Sequence, residues 1–198
     1  MRQLAGLLLV ILAGCWFGVA RQPAADGALG SGLSVVREFA DRFGTKRVNA
    51  VVGLFSDDAI VEIRGLGAVI QGRSGLRDLA EYAFTVKSRL RMTSSKVSAD
   101  TVWADLVETN DWLRFAGMEE LRYRAVFRTR LGRIEEAVLE LEPESRDAVK
   151  QQMMDVLIPL LNEEPETLER LMPGGRLVFN RTAGSELMRI LRTRAQRQ

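Results

Sequence analysis

The sequence lacks histidine and contains one cysteine in 198 residues. Without an imidazole the chain cannot form a Ser-His-Asp or Cys-His catalytic set, or a histidine metal site. A single thiol excludes an intrachain disulfide and a cysteine-rich zinc site. The formal net charge is only +2, which gives no indication of nucleic-acid binding. We therefore expect no metal, no cofactor and no nucleic-acid partner.

The composition that is present is typical of a globular protein. Hydrophobic residues make up 46% of the chain and charged residues 27%. A chain of this length can bury a self-sufficient core, so we expect one folded domain with additions.

The first 15 residues follow the order of a secretory signal. Met1 and Arg2 give a short positive start, and the apolar run that follows, residues 4–14, is too short to span a bilayer. The run ends in Leu12-Ala13-Gly14-Cys15, which resembles the lipoprotein box of bacterial lipoproteins. This resemblance implies cleavage before Cys15, lipid attachment to its thiol, and an extracytoplasmic protein anchored to a membrane. The alternative is an uncleaved anchor that ends at this cysteine.

Composition and apolar spacing divide the chain into four parts. We assign residues 1–14 to a lipoprotein signal peptide and residues 15–31 to a lipidated flexible tether rich in glycine, alanine and proline. Residues 32–142 form the main domain, and residues 143–198 form a helical extension with apolar stripes of its own.

The apolar pattern of residues 32–142 predicts an α+β domain. Two helices precede residue 56, the second capped by Thr45, and Ser74 caps a third. Alternation predicts a first strand over residues 59–64 and long strands over residues 91–98, 101–115, 121–131 and 134–142. A curved sheet wrapped around a helix would leave an apolar pocket.

Three segments give this region a resemblance to the SnoaL-like branch of the nuclear transport factor 2-like superfamily. Residues 51–59 (VVGLFSDDA) precede the first strand, residues 72–77 (GRSGLR) open the third helix, and residues 122–128 (RYRAVFR) lie on a late strand. The resemblance implies a cone-shaped domain of helices on a curved antiparallel sheet. It implies no single function, since the superfamily includes isomerases, dehydratases, cyclases, hydrolases and binding modules.

The resemblance to ketosteroid isomerase within that superfamily permits a test of chemistry. The isomerase uses a tyrosine on the first helix, an aspartate base on the first strand and a protonated aspartate on a late strand. The matching positions in this sequence are Phe39, Ile63 and Ala125. Because none of these side chains can donate or accept a proton, we expect no isomerase chemistry of that kind.

We expect ten side chains to line the pocket: Phe39, Phe43, Val61, Ile63, Tyr82, Asn110, Trp112, Tyr123, Ala125 and Phe127. Of these, Phe39 and Phe127 should be buried. If the site is catalytic after all, Glu108 and Asp111 are the candidate bases. One continuous strand over residues 101–115 would place Asp105 and Asp111 on one face and Glu108 on the other, and the sequence leaves open which face meets the pocket.

The extension and the basic residues carry weaker signals. We predict helices over residues 144–161, with a kink or an end near Pro159, over residues 166–171, and from Thr182 or Ser185 onward. Arginines at positions 122, 124, 128 and 130 share one strand face, which is either a solvated face paired with glutamates or a contact for phosphates or anionic lipid.

Three hypotheses for function follow. The first is a lipoprotein whose pocket binds a small apolar ligand without catalysis. The second is a carboxylate-dependent hydrolase or isomerase of a small apolar substrate, which a carboxylate within hydrogen-bond reach of Tyr82 or Tyr123 would favour. The third is an envelope interaction module whose C-terminal helices dock a protein or a second copy, which requires an exposed apolar patch on the extension.

Overall fold

The computed structural model describes residues 25–196, with side chains from residue 32 onward except at position 195. Its helices are α1 (Ala25–Arg42), α2 (Val48–Val52), α3 (Gly72–Thr85), α4 (Asp111–Phe115), α5 (Pro143–Glu163), α6 (Pro165–Leu171) and α7 (Arg181–Ala195). Its strands are β1 (Phe55–Arg64), β2 (Ala68–Gln71), β3 (Arg89–Ser98), β4 (Thr101–Thr109), β5 (Leu121–Arg130) and β6 (Arg133–Leu141). The α+β prediction is confirmed.

The six strands form one curved sheet in the order β2-β1-β6-β5-β4-β3. Neighbouring strands are antiparallel except β1 and β6, which pair in parallel. Register shifts leave one extra residue on β3, Thr93, in its pairing with β4, and one on β6, Glu135, in its pairing with β5. Such irregularities bend a strand and increase its twist, which helps the sheet to curve around the helices.

The inner face of the sheet carries the core. Side chains alternate between buried and exposed along β1 and β5, so that Val61 and Phe127 point inward. The Phe39 ring of α1 meets those of Phe55 and Phe127, with centroids 5.3 Å and 5.9 Å away. Edge-on contacts at these distances are favourable for aromatic rings. The predicted burial of Phe39 and Phe127 is confirmed.

The outer face of β5 carries the arginine stripe, and it is solvated. Arg128 lies opposite Glu136 on β6, with Nη1 and Oε2 3.5 Å apart, and Arg124 Nε lies 3.6 Å from Glu142 Oε1. The stripe therefore forms exposed cross-strand ion pairs, the first of its two predicted interpretations.

Helix α1 begins at Ala25, so the last seven residues of the predicted flexible tether, 25–31, are helical. Gly32, the first residue after the predicted tether, lies where α1 packs closely on the sheet. A Cβ at Gly32 would lie 2.6 Å from Thr129 Oγ1, so only glycine lets α1 approach the sheet this closely. Packing of Val36 and Phe39 on the sheet supports the helix, which extends toward its N-terminus despite the cost of glycine. Cys15 and the predicted signal peptide lie outside the described residues.

The predicted strand over residues 101–115 is wrong in its last third. Strand β4 ends at Thr109, and Asp111–Phe115 form helix α4. Asn110 causes the change, because its side-chain oxygen accepts a hydrogen bond from Leu113 N at 2.8 Å and caps the helix. Asp111 consequently does not share a strand face with Asp105.

Other local predictions need correction. Strand β1 begins at Phe55, ahead of the predicted residue 59, and the short strand β2 was missed. Neither Thr45 nor Ser74 is the N-cap, since α2 and α3 begin after Arg47 and Gln71. The remaining corrections concern the extension.

Helix α5 continues to Glu163 and does not end near Pro159. The next helix, α6, agrees with its predicted bounds to within one residue. Helix α7 begins earlier than predicted, since Asn180 accepts a hydrogen bond from Ala183 N at 2.8 Å. Within residues 25–196, no helix is both long enough and apolar enough to cross a membrane.

Candidate functional site

A cavity of about 90 Å³ lies between the inner face of the sheet, helix α3 and the C-terminal helices. Half of its lining residues belong to the main domain and half to the extension. The domain side includes Phe43, Ile63, Tyr82, Glu108, Trp112 and Tyr123. The extension side includes Met153, Val156, Leu171, Phe179, Leu187 and Leu191. The extension therefore completes the cavity wall.

The extension is held on the domain by close contacts with α3. The rings of Tyr82 and Phe179 meet edge to face, with centroids 5.0 Å apart. A Cβ at Gly184 would lie 3.2 Å from Tyr82 Cδ2 and 3.3 Å from Thr85 Cβ. The glycine thus lets α7 approach α3 without displacing the tyrosine ring that borders the cavity.

Glu108 is the carboxylate of the cavity wall, and three donors reach it. Ser88 Oγ and Asn110 Nδ2 donate to Oε1 at 2.5 Å and 3.0 Å. The Tyr123 hydroxyl donates to Oε2 at 2.8 Å. A carboxylate has about four acceptor positions, so one on Oε2 is available for a further donor.

Local structure explains why this side chain faces inward. Residues with even numbers on β4 form its buried face, as Val102, Ala104 and Leu106 show, and Glu108 continues that face. The adjacent Asn110 both caps α4 and donates to Glu108. One asparagine therefore ends the strand and orients the last inward side chain.

The only two tyrosines of the chain, Tyr82 and Tyr123, both line the cavity. Burial raises the pKa of each phenol, and the nearby Glu108 carboxylate raises it further. Both hydroxyls therefore keep their protons. The Tyr123 hydroxyl donates a hydrogen bond to Glu108, whereas the Tyr82 hydroxyl has no hydrogen-bond partner within the described part of the chain.

No lysine or arginine is among the described residues that line the cavity. The second candidate base, Asp111, lies elsewhere, with its oxygens 2.8 Å from Lys87 Nζ and 2.8 Å from Arg114 Nη2. These two ion pairs at the protein surface satisfy Asp111. Glu108, in contrast, forms no ion pair with a residue that the structure describes.

Of the ten predicted pocket residues, some line the cavity and others are buried in the core next to it. Five line the cavity: Phe43, Ile63, Tyr82, Trp112 and Tyr123. Four are buried without lining it: Phe39, Val61, Ala125 and Phe127. Asn110 does not line the cavity, but its side-chain amide donates a hydrogen bond to Glu108, which does.

Sequence reasoning missed Ser88 and the contribution of the extension. Ser88 has no recognisable signal, because it follows α3 in a short connection and is brought to Glu108 by the pairing of β3 with β4. Asn110, in contrast, has a recognisable signal for the start of a helix, since an Asn before an acidic residue and an apolar run is typical of a helix N-cap.

The predicted criterion for an enzyme, a carboxylate within hydrogen-bond reach of Tyr82 or Tyr123, is met by Glu108. The patch that the interaction hypothesis requires also exists, since Met154, Ile158 and Leu161 of α5 are exposed. That hypothesis, with its homodimer or envelope-protein partner, stays a prediction. No group of three or more potential metal-ligating side chains occurs within the described part of the chain.

Comparisons with known proteins identify the domain. A solved epoxide hydrolase/cyclase-like enzyme, SalBIII, from pyran ring formation in the polyether salinomycin is 19% identical with a TM-score of 0.50, covering 59% of this chain and 94% of that one. An LEH-like epoxide hydrolase from M. tuberculosis is 12% identical with a TM-score of 0.49, covering 66% and 98%. No curated protein matches. The family model of the SnoaL-like domain matches residues 36–137, more than half of the sequence, and the chain therefore belongs to the SnoaL-like family, with the nuclear transport factor 2-like fold.

Proposed function

We propose that the domain binds a small molecule with an apolar body in the cavity beneath the C-terminal helices. One observation carries the proposal: a covered apolar cavity whose wall presents a single carboxylate, Glu108, with an unused acceptor position. Mostly apolar walls with a few placed polar groups are typical of small-molecule sites. A water needs about 10–15 Å³, so the space exceeds that of one water several-fold.

We further propose that this binding domain is an extracytoplasmic lipoprotein. The support is the sequence from Leu12 to Cys15 and the apolar run before it. Replacing the thiol, Cys15→Ser, should abolish lipid labelling and leave a precursor of unchanged length. Labelling that persists in the variant would contradict the anchor and would leave the cavity proposal untouched.

Native mass spectrometry of the mature protein purified from its own host tests the binding proposal. We expect a retained small molecule that dissociates on unfolding. The variant Leu187→Trp adds bulk to the cavity wall and should abolish retention, whereas Thr182→Trp, at an exposed position of the same helix, should preserve it. Equal retention by both variants would mean that the molecule binds elsewhere.

A second candidate function is proton transfer by Glu108. The 2.8 Å hydrogen bond from Tyr123 favours it, because a carboxylate beside a neutral phenol combines a base with a donor for a developing oxyanion. Such an enzyme would be a hydrolase or an isomerase with a layout unlike that of ketosteroid isomerase.

The fate of the retained molecule separates the two functions. A binding module returns the molecule unchanged after incubation with fresh protein. An enzyme converts it, and Glu108→Gln should then reduce the conversion about 10²–10⁴-fold, the usual contribution of a general base. Conversion that survives in Glu108→Gln would exclude Glu108 as the base.

A further inference from the structure

We propose that the ligand is an apolar amine, bound as an ammonium ion with its nitrogen at Glu108 Oε2. This inference rests on the proposed binding function and specifies its ligand class. It follows from the carboxylate of Glu108 in the cavity lining and from the lack of a lysine or arginine among the described lining residues.

The first step concerns charge. The cavity wall presents a carboxylate, yet neither a lysine nor an arginine is among the described lining residues. Glu108 is half-buried, and a charge that is even partly removed from water is costly unless it is paired, since hydrogen bonds from neutral donors compensate only in part. The neighbouring buried carboxylate, Asp111, shows the usual solution, because Lys87 and Arg114 pair with it. A cationic ligand would give Glu108 the partner that this chain supplies to Asp111.

The second step concerns the remaining hydrogen-bond positions. Glu108 Oε1 already accepts from Ser88 and Asn110, while Oε2 accepts from Tyr123 alone among the residues that the structure describes. The Tyr82 hydroxyl also borders the cavity and lacks a partner in the described part of the chain. An ammonium group has several N–H donors and no acceptor, which suits a cavity whose lining offers two acceptor oxygens, one from β4 and one from α3.

The third step concerns the walls. Tyr82, Trp112 and Phe179 bring aromatic rings to the lining. Aromatic faces attract cations within about 6 Å of the ring centroid. A carboxylate ligand finds the opposite conditions, since Glu108 would repel it and no basic side chain among the described lining residues would offset the repulsion.

The test compares three probes of matched length: butylamine, butanol and butyrate. Each is titrated into the intact protein, and binding is measured by calorimetry and by NMR shifts of the cavity residues. Butylamine should bind at least about tenfold more tightly than butanol, because a charge-assisted hydrogen bond is roughly twice as strong as a neutral one. Butyrate should bind most weakly.

Two variants locate the preference. Glu108→Gln keeps the size of the side chain, removes its charge, and should bring butylamine to within about twofold of butanol. Asp111→Asn is the matched control, a buried carboxylate outside the cavity, and should leave the preference unchanged. Should Glu108→Gln fail to fold, Tyr82→Phe removes the other acceptor and should weaken butylamine more than butanol.

The outcomes distinguish the inference from the function on which it rests. Butanol or butyrate binding in the cavity as tightly as butylamine would overturn the amine inference and leave the binding function intact. A butylamine preference that survives in Glu108→Gln would also overturn it. If no probe binds, the inference falls, and the native mass spectrum alone decides whether the cavity holds another molecule.

Discussion

The two ends of the inner sheet face differ sharply although one sheet forms both. At one end the rings of Phe39, Phe55 and Phe127 pack together, with centroids from Phe39 to its neighbours at 5.3 Å and 5.9 Å. At the other end the same face carries Glu108 with its hydroxyl and amide donors, and a cavity remains.

The difference shows that the polar groups of the inner sheet face lie at the cavity end and not in the packed core. The positions that match the isomerase residues are apolar, and two of them, Phe39 and Ala125, belong to the buried core away from the cavity wall. The carboxylate instead occupies β4, next to the strand that carries Ala125. Proteins with the same fold therefore need not have the same functional site, because the site depends on the residues at particular positions.

The packed end should be the more sensitive to loss of volume. Phe127→Ala removes a fully buried ring and should lower the free energy of unfolding by about 3–5 kcal/mol, as measured by urea denaturation. Phe115→Ala is the matched control, since that ring is 39% exposed, and it should cost well under half as much. A loss below about 1 kcal/mol for Phe127→Ala would mean that the two ends do not differ in packing.

The cavity end should be sensitive to loss of a single hydroxyl. Tyr123→Phe deletes the hydrogen bond to Glu108 and should cost about 1.5–3 kcal/mol of unfolding free energy, the range for hydrogen bonds to charged groups. Tyr82→Phe deletes a hydroxyl without a described partner and should cost less than about 0.5 kcal/mol. Equal losses would show that Glu108 gains nothing specific from Tyr123.

The contact between α7 and α3 gives a way to disturb only the cover of the cavity. Gly184→Val places a branched side chain against Tyr82 and Thr85, and crowding of this kind typically costs about 1–3 kcal/mol. Ser185→Val adds the same side chain at an exposed position and should be nearly neutral. The two variants are compared by denaturation and by ligand retention, and identical behaviour would contradict the close packing of α7 on α3.

The smallest effect is expected at the surface of the extension. Arg189 Nη2 donates to Glu164 Oε2 at 2.8 Å and to Glu186 Oε1 at 3.0 Å, which links α7 to the junction between α5 and α6. These hydrogen bonds hold the pKa of both carboxyls below the ordinary range. Arg189→Ala should change the thermal midpoint only slightly, because exposed ion pairs contribute little.

The sign of the pH dependence follows from those lowered pKa values. A carboxyl whose pKa is lower in the folded state stabilises the fold at neutral pH, and this contribution is lost as the pH falls through the folded value. The difference between wild type and Arg189→Ala should therefore be present at pH 7 and be lost as the pH falls below the ordinary glutamate pKa of about 4.3 and through the lowered folded-state values. It should also shrink in high salt. A difference that grows on acidification would contradict the assigned pairs.

The sequence predicts the fold well where periodicity is long and uninterrupted. The first helix, most of α3 and strands β5 and β6 follow the apolar pattern, because one buried face repeats over nine or more residues. Prediction fails where one side chain redirects the backbone. Asn110 converts the expected end of a strand into a helix, a change that alternation of apolar and polar residues cannot reveal.

The site is predicted less completely than the fold, for a physical reason. The apolar pattern predicts that Phe43 and Ile63 point inward, and both line the cavity. Trp112 also lines it as predicted, but from helix α4 and not from the expected strand. The other wall comes from Phe179 and Leu187, whose position depends on how the extension folds back. Local sequence determines which faces of those helices are apolar but not what they cover.

The parallel pairing of β1 with β6 has a consequence for how the chain reaches this structure. These are the first and last strands of the sheet in sequence, yet Val61 lies directly beside Ala137. Until residue 141 is available, β1 has only the four-residue β2 as a partner, and its other edge exposes unpaired peptide groups. Contacts between distant segments slow folding, since the loop must close before the pairing stabilises it. The nascent domain should therefore stay open, and sensitive to proteases or chaperones, until nearly the whole of the sheet has been synthesised.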